Sequence, residues 1–287
     1  MNNKVVLITG SSTGLGFETA LTLAQNGYNV YATMRDLTKQ QPLLDKADEL
    51  NINLTVKQLD VTDTNSITQT VNDIVEAEGR LDILINNAGA GFVKTTELAS
   101  DDELMWQMNV NLMSVMRMTK AVLPTMRSQR DGHIINISSV GGLVGQPFNE
   151  VYCAAKFGVE GYTESLASYV QPAFNVKFTV VEPGGIKTEF TNNVLSQLET
   201  TGGINDADYT ALLNSYLGGL KENYGLDASQ SGAEVARVIL NVIEDANPPI
   251  RIRTSDWAER FTAIKTKADP TGKKLQQQVT RLLGDQF

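Results

Sequence analysis

Short apolar runs alternate with amphipathic stretches from the start of the chain to about residue 253. The first run, Lys4–Thr9 (KVVLIT), is β-branched and continuously apolar, which is typical of a strand buried on both faces of a parallel sheet. Later strands are predicted at Asn29–Thr33, Leu54–Leu59, Leu81–Ile85, Ile134–Ile137, Val176–Val181 and Ile250–Arg253. Because strands that alternate with helices through short loops pair in parallel by right-handed crossovers, we expect an α/β fold with a doubly wound sheet of about seven strands and helices on both faces.

A glycine-rich turn, TGSSTGLG, ends the first strand. Its glycines allow a tight turn and close backbone approach, and the helix predicted after it can hold a phosphate on its free N–H groups. A dinucleotide pyrophosphate fits such a turn, which is typical of a Rossmann-type domain. A chain of 287 residues with 41% hydrophobic content can bury one large core, so we expect a single domain spanning residues 1–287. The spacing is GxxxGxG rather than GxGxxG, and a flexible strand-to-helix turn is the alternative interpretation. The turn residues expected to bind cofactor are Gly10, Ser12, Thr13, Gly14, Leu15 and Gly16.

Tyr152 and Lys156 lie four residues apart in a predicted helix, Val151–Val170. That spacing places both side chains on one face, about one turn apart. Free tyrosine titrates near pH ~10, and a cation a few Å away favours the phenolate and lowers the pKa. Tyr152 is therefore predicted to be a general acid/base, although an ordinary amphipathic helix could carry the same pair. Ser139 lies thirteen residues before Tyr152, at the end of a predicted strand.

These features together resemble the classical short-chain dehydrogenase/reductase family, especially hydroxysteroid and retinol dehydrogenases, from about Lys4 to Phe190. The resemblance rests on Ser139, the Tyr152–Lys156 pair, the glycine-rich turn and the segment NNAG ending at Gly89. It implies hydride transfer between the nicotinamide and a carbonyl or alcohol carbon, with the hard chemistry belonging to the cofactor.

The resemblance also implies a role for each of four catalytic residues. Ser139 would bond the carbonyl oxygen as negative charge develops, and Tyr152 would donate the proton. Lys156 would lower the tyrosine pKa and hold the nicotinamide ribose. Asn111, within a predicted helix Leu104–Arg127, would position a water that resupplies the proton.

Further cofactor contacts follow from the resemblance alone. Asp60 would bond the adenine amino group, Asn87 and Gly89 would lie along the cofactor, and a proline-glycine turn would flank the nicotinamide, with Thr188 near its carboxamide. The implied contacts outside the glycine-rich turn are Arg35, Asp60, Val61, Asn87, Ala88, Gly89, Tyr152, Lys156, Pro183, Gly184, Ile186 and Thr188.

The end of the second strand bears on the choice between NADP(H) and NAD(H). In family members that use NAD, an acidic residue seven positions after the glycine at Gly27 bonds the ribose hydroxyls, and here that position is Met34, followed by Arg35. A guanidinium can pair with a 2′-phosphate through charge-assisted bonds, so NADP(H) is favoured and NAD(H) is possible. Asp36 could instead turn toward the ribose, and Thr13 stands where some NADP-dependent relatives carry a second basic residue.

Composition excludes several classes of protein. The chain of 287 residues has a net charge of -9 and a sequence pI of about 4.8, which argues against a general attraction to nucleic acid or anionic membranes. No stretch approaches the ~20 apolar residues of a membrane span, and the brief N-terminal apolar run is interpreted as a strand rather than a signal peptide, so a cytoplasmic protein is expected. One histidine, His133, and one cysteine, Cys153, make neither a disulfide framework nor a zinc site expected.

The last third of the chain matches the family less well. A substrate lid is expected at about residues 187–230, and a helical extension at about 256–287. The lid carries an apolar face that could line a pocket for a lipophilic ketone or alcohol or could be ordinary core: Tyr209, Leu212, Leu213, Tyr216, Leu217 and Leu220.

The family resemblance also implies a homodimer or homotetramer built on the two long helices. The first of these helices offers methionines as an adaptable apolar surface: Met105, Met108, Met113, Met116 and Met118. A rival function is a catalytically silent NADP-binding sensor or scaffold, which would tolerate loss of the four catalytic residues that are all present here. An epimerase or dehydratase would normally have a GxxGxxG turn, which this chain lacks.

Overall fold

A seven-stranded parallel sheet forms the centre of the protein, as expected from the alternating pattern. The computed structural model describes residues 4–188, 203–224, 229–274 and 277. The strands within those ranges are β1 (Val5–Ile8), β2 (Asn29–Met34), β3 (Thr55–Gln58), β4 (Ile83–Asn86), β5 (Gly132–Ile137), β6 (Val176–Glu182), β7 (Gly185–Lys187), β8 (Ser229–Ser231) and β9 (Arg251–Arg253). The central sheet has the order β3-β2-β1-β4-β5-β6-β9, and β7 and β8 form a separate parallel pair that the sequence pattern did not indicate.

Helices connect the strands and cover both faces of the sheet. Those in the described ranges are α1 (Gly14–Gln25), α2 (Gln41–Glu49), α3 (Thr64–Glu78), α4 (Asp101–Met108), α5 (Ser114–Gln129), α6 (Glu150–Phe174), α7 (Ala207–Tyr224), α8 (Gly232–Glu244) and α9 (Asp256–Thr266). Asp63 caps α3 by accepting from the backbone N–H of Asn65 at 2.8 Å.

Strand β1 shows why the sheet has two cores. Its four residues are all buried, and alternate side chains point to opposite faces. Val6 and Ile8 pack in one apolar cluster with residues of α1, α2 and α8. Val5 and Leu7 pack in a second cluster with residues of α3, α5 and α6. Burial on both faces explains the continuous apolar composition of this strand.

The strand order reverses between β1 and β4, which are both central neighbours in the sheet. In open sheets of this kind the ligand crevice lies beyond the carboxyl ends of the strands, at such a reversal. The glycine-rich turn follows β1, and the NNAG segment begins at the end of β4. The fold therefore brings these two segments to one edge.

The helix predicted over Leu104–Arg127 is not continuous. A π-helical segment, Asn109–Met113, separates α4 from α5. Such π turns are rare and occur often at functional sites, and this one contains Asn111. One methionine of the proposed adaptable surface is also reassigned: Met118 is buried in the core, whereas Met105 and Met113 are exposed.

The lid and the extension are described only in part. Helix α7 covers much of the predicted lid helix, but residues 189–202 and 225–228 and the side chains of Leu217 and Leu220 lie outside the described residues. Helix α9 begins the extension at Asp256, and most of the chain after residue 274 lies outside the described residues. Within the described part of the chain, no helix combines the length and apolar character needed to span a membrane.

Candidate active site

The glycine-rich turn makes close backbone contacts that a side chain would obstruct. Gly10 has a φ of 71°, in the left-handed region that glycine adopts readily. At Gly16, an added Cβ would lie 2.3 Å from the carbonyl oxygen of Gly10 and 2.4 Å from Nδ2 of Asn87. Thr13 precedes α1 and makes no capping bond with its side chain. The N-terminus of α1 and this turn thus form a backbone cradle suited to a pyrophosphate.

Asn87 fastens the turn to the end of β4. Its Nδ2 donates to the carbonyl oxygens of Thr9 at 2.9 Å and Gly10 at 3.0 Å. The backbone N–H groups of Asn87 and Ala88 both donate to Oγ1 of Thr9 at 3.0 Å. The amide of Asn87 is therefore committed to shaping the turn, in addition to lying beside the expected path of the cofactor.

Ser139, Tyr152 and Lys156 come together at the carboxyl end of β5. Ser139 hydrogen-bonds the Tyr152 hydroxyl with its side chain, and its Oγ accepts from the backbone N–H of Gly141 at 3.0 Å. The Lys156 ammonium lies 5.7 Å from the centre of the Tyr152 ring. That ammonium donates to the carbonyl oxygen of Ile137 at 2.8 Å. The structure thus brings Ser139 together with the Tyr152–Lys156 pair, whose four-residue spacing predicts one helix face.

The expected lowering of the tyrosine pKa is not found in this structure. Burial raises the pKa of Tyr152 to about 12, against the lowering effect of the bond with Ser139. Burial lowers the pKa of Lys156 to about 8. The expectation failed because burial dominates the Tyr152 pKa, while the Lys156 ammonium lies over the ring and donates to the Ile137 carbonyl oxygen.

Asn111 is buried within the π-helical segment and forms two hydrogen bonds with the backbone of Ala90. Its Nδ2 donates to the Ala90 carbonyl oxygen at 2.8 Å, and its Oδ1 accepts from the Ala90 N–H at 3.1 Å. A Cβ built on Gly89 would lie 2.7 Å from Oδ1 of Asn111 and 3.7 Å from Nζ of Lys156. The NNAG segment thus meets two of the four predicted catalytic residues.

The Pro183–Gly184 turn follows β6 and touches the serine loop. The backbone N–H of Val140 donates to the Pro183 carbonyl oxygen at 2.9 Å. Beyond the turn, Ile186 lies in β7. Thr188 lies against the glycine-rich turn, because a Cβ added to Gly14 would be 3.4 Å from the Cβ of Thr188. The implied nicotinamide contacts therefore surround the same crevice.

Arg35, just after β2, and Asp60, just after β3, line one cleft of about 490 Å³, together with side chains of β3 and α3. Burial favours a raised pKa for Asp60, but two bonds from Thr62 and the charge of Arg35 hold that pKa below its usual value. Met34 is buried in the core at 2 % exposure. Asp36 accepts from the Thr38 N–H at 3.0 Å and hydroxyl at 2.7 Å, so its carboxylate caps the next turn. Val61 is half-buried beside Asp60.

Comparison with known proteins settles the family. The sequence model described as short chain dehydrogenase matches residues 4–199. The chain belongs to the short-chain dehydrogenase family. It is therefore an oxidoreductase that acts on alcohol or carbonyl groups and binds a nicotinamide dinucleotide.

Relatives of this short-chain dehydrogenase extend over nearly the whole chain. It is 41% identical to retinol dehydrogenase 8 of Bos taurus over 94% of this chain and 86% of that protein. It is 40% identical to 3-ketodihydrosphingosine reductase of Bacteroides thetaiotaomicron, over 88% of each. A solved short-chain dehydrogenase from Streptomyces avermitilis superimposes with a TM-score of 0.77 at 26% identity, covering 98% of both chains.

Several buried polar residues of this short-chain dehydrogenase were not found from the sequence. Glu160 and Glu182 are buried close to the serine loop, and Arg253 pairs with Glu182 at 3.1 Å. The sequence signal that could have indicated this cluster is Glu160, an acidic residue one helical turn after Lys156 on the buried side of α6. Among the residues described, no group of three or more His, Cys, Asp or Glu side chains is arranged to hold a metal ion.

Proposed function

We propose that this short-chain dehydrogenase is an NADP(H)-dependent oxidoreductase that transfers a hydride between the nicotinamide and a lipophilic carbonyl or alcohol substrate. The observation that carries the proposal is the convergence of Ser139, Tyr152, Lys156 and Asn111 at the sheet edge that also bears the glycine-rich turn. A silent sensor would not need these four side chains in one crevice. We propose the whole chain as one domain, with a lid at about residues 187–230 and an extension at about 256–287.

The side chains fit a reduction in which the cofactor supplies the hydride when bound. Ser139 and Tyr152 hydrogen-bond each other, so their hydroxyls can both reach one carbonyl oxygen and stabilise negative charge on it. Tyr152 keeps its proton at neutral pH, because burial raises its pKa to about 12, and it can donate that proton to the oxygen. Lys156 would hold the cofactor ribose, and Asn111 anchors the backbone of Ala90 in the segment beside it.

Three residues at the end of β2 support NADP(H) over NAD(H). Arg35 is exposed and shares a cleft with Asp60, the residue expected to bond the adenine, so its guanidinium can pair with a 2′-phosphate. Met34 is buried and offers no acceptor to a ribose hydroxyl. The Asp36 carboxylate is engaged by Thr38, which opposes its use as a ribose ligand.

A lipophilic substrate is supported by relatives and by the described part of the lid. Relatives are named for retinol and for 3-ketodihydrosphingosine. In this chain, Tyr216 of α7 packs against Phe148 with ring centres 6.3 Å apart, and Tyr209 hydrogen-bonds Glu97. Phe148 lies four residues before Tyr152, in the turn that leads into α6, so its contact with Tyr216 brings α7 next to that turn.

The direct test measures oxidation of NADPH and of NADH with a series of aldehydes and ketones of increasing chain length. We expect kcat/KM to favour NADPH. It should also rise with the apolar area of the substrate, because each Å² buried contributes about 25 cal/mol of binding free energy. Turnover of small polar carbonyls alone would contradict the lipophilic substrate. A preference for NADH would contradict the cofactor assignment while leaving the hydride-transfer chemistry intact.

A further inference from the structure

A buried carboxyl group lies one helical turn beyond Lys156. Glu160 is 6 % exposed and lies on the buried side of α6. A Cβ added to Gly142 would lie 2.8 Å from Oε1 of Glu160 and 2.5 Å from Oγ of Ser138. The carboxyl therefore sits against the loop that carries Ser139, with the Ser138 hydroxyl next to it.

A second carboxyl group reaches the same place from the sheet. Glu182 ends β6 at 0 % exposure and immediately precedes Pro183. Its Oε2 accepts from Nη1 of Arg253 at 3.1 Å. The other guanidinium nitrogen, Nη2, pairs with Glu259 of α9 at 3.0 Å. The pair thus connects the nicotinamide turn with β9 and the start of the C-terminal extension.

The two carboxyl groups require one proton between them. If both groups were carboxylates, Glu160 would have the neighbouring Ser138 hydroxyl as a donor, but its second oxygen and Oε1 of Glu182 would have no donor among the described residues. With one proton present, the two groups hydrogen-bond each other. Glu182 faces Arg253, so the proton resides on Glu160, whose pKa is raised far above its usual value by burial and by the neighbouring carboxylate.

The neighbouring charges agree with that placement. Lys156 lies on the same helix, and its ammonium donates to the backbone of Ile137. Arg251 of β9 pairs with Glu164 of α6. Arg253 is shared by Glu182 and Glu259, and Gly142 and Ser138 complete the surroundings on the loop side. A single negative charge on the two carboxyls is paired with Arg253, which the half-exposed Glu259 also contacts, so a second buried negative charge would lack a partner of its own.

Backbone bonds tie the same segments together. The N–H of Ser138 donates to the Val181 carbonyl oxygen at 2.8 Å, and that of Val140 donates to Pro183 at 2.9 Å. We propose that Glu160 and Glu182 share a proton and act as positioning residues, holding the Ser139 loop and the Pro183 turn against the helix that carries Tyr152 and Lys156. Neither carboxyl touches the reacting atoms.

The shared proton is tested by infrared difference spectroscopy on the full-length protein at neutral pH. The spectrum of Glu160→Gln subtracted from wild type should show the C=O stretch of a protonated carboxyl, shifted in D2O. Glu164→Gln is the matched control, because it removes a carboxyl one turn further along α6 that pairs with Arg251 instead. A wild type without that band, or a band lost equally in the control, would overturn the shared proton.

The positioning role is tested by kinetics with NADPH and a reducible aldehyde. Glu160→Ala should lower kcat on the order of ten- to a hundredfold, since small displacements of positioned groups carry such losses. NADPH affinity should change little, because the pyrophosphate and adenosine ends are untouched. Glu160→Gln keeps a donor toward Glu182 and should restore most of the loss, whereas Glu164→Ala should cause none.

Two results would overturn the positioning role. One is equal kcat values for Glu160→Ala and Glu164→Ala, and the other is a Glu160→Gln variant as slow as Glu160→Ala. If Glu160→Ala does not fold, Glu160→Asp replaces it, since it keeps the acid but shortens its reach by one methylene. Glu160→Asp should then lower kcat with NADPH affinity retained, and an unchanged kcat would refute the role.

Discussion

Replacing Arg35 by Ala isolates the residue on which the NADP(H) assignment most depends. Arg35 is exposed, lines the same cleft as Asp60, and is near enough to Asp60 to lower that residue's pKa. A hydrogen bond to a charged group contributes about 1.5–3 kcal/mol. At about 1.4 kcal/mol for each factor of ten, losing a guanidinium–phosphate pair should lower kcat/KM for NADPH about ten- to a hundredfold.

The same substitution should leave NADH turnover nearly unchanged, because NADH carries no 2′-phosphate. The assay compares kcat/KM for both cofactors with one aldehyde, at fixed ionic strength, since the Debye length is about 10 Å at 0.1 M salt. Lys39→Ala is the matched control, because it removes another exposed positive charge from the turn after β2 that does not line the cleft.

Three outcomes would refute the reasoning about Arg35. They are a wild type that prefers NADH, an Arg35→Ala variant that loses activity with both cofactors equally, and a Lys39→Ala variant with the same loss.

A reversal of cofactor preference through Met34→Asp is not expected, because Met34 is 2 % exposed and a carboxylate there would be buried in an apolar cluster. A carboxylate introduced by Arg35→Asp would lie at the exposed end of the strand instead.

Three further predictions concern catalysis and assembly. Tyr152→Phe should lower kcat by about 10²–10⁴-fold with NADPH affinity nearly intact, and a variant with more than about a tenth of wild-type kcat would contradict the general-acid role. Burial lowers the pKa of Lys156 to about 8, so its ammonium is lost as pH rises through that value, and reductive kcat/KM should fall there; a profile without this ionisation would argue against it. Light scattering should show a dimer or tetramer at micromolar concentration, and a monomer would contradict this. The reason is a set of exposed apolar side chains along α4 to α6: Met105, Trp106, Met113, Phe157 and Tyr169.

Residue patterns were sufficient for the sheet because burial leaves a direct signal in composition. Val5 to Ile8 are apolar without interruption since each face of β1 is covered by helices. The π-helical segment left a weaker signal, the two asparagines Asn109 and Asn111 in a helical pattern. Nothing in the sequence distinguishes a helix with five-residue hydrogen bonding from one with four, so the break between α4 and α5 required the structure.

Backbone acceptors explain why the hydrogen bonds and protonation of the site were harder to predict than which residues lie in it. Lys156 donates to the carbonyl of Ile137, Asn111 grips Ala90, and Asn87 holds the carbonyls of Thr9 and Gly10. Every residue carries such a carbonyl, so no residue type marks the one that a distant side chain will reach. The Ile137 carbonyl fixes Lys156 beside the face of the Tyr152 ring, and this geometry lets burial raise the tyrosine pKa. Because Tyr152 retains its proton, it can act as a proton donor. The four-residue spacing allows that role, and the contact of Lys156 with the Ile137 carbonyl determines it.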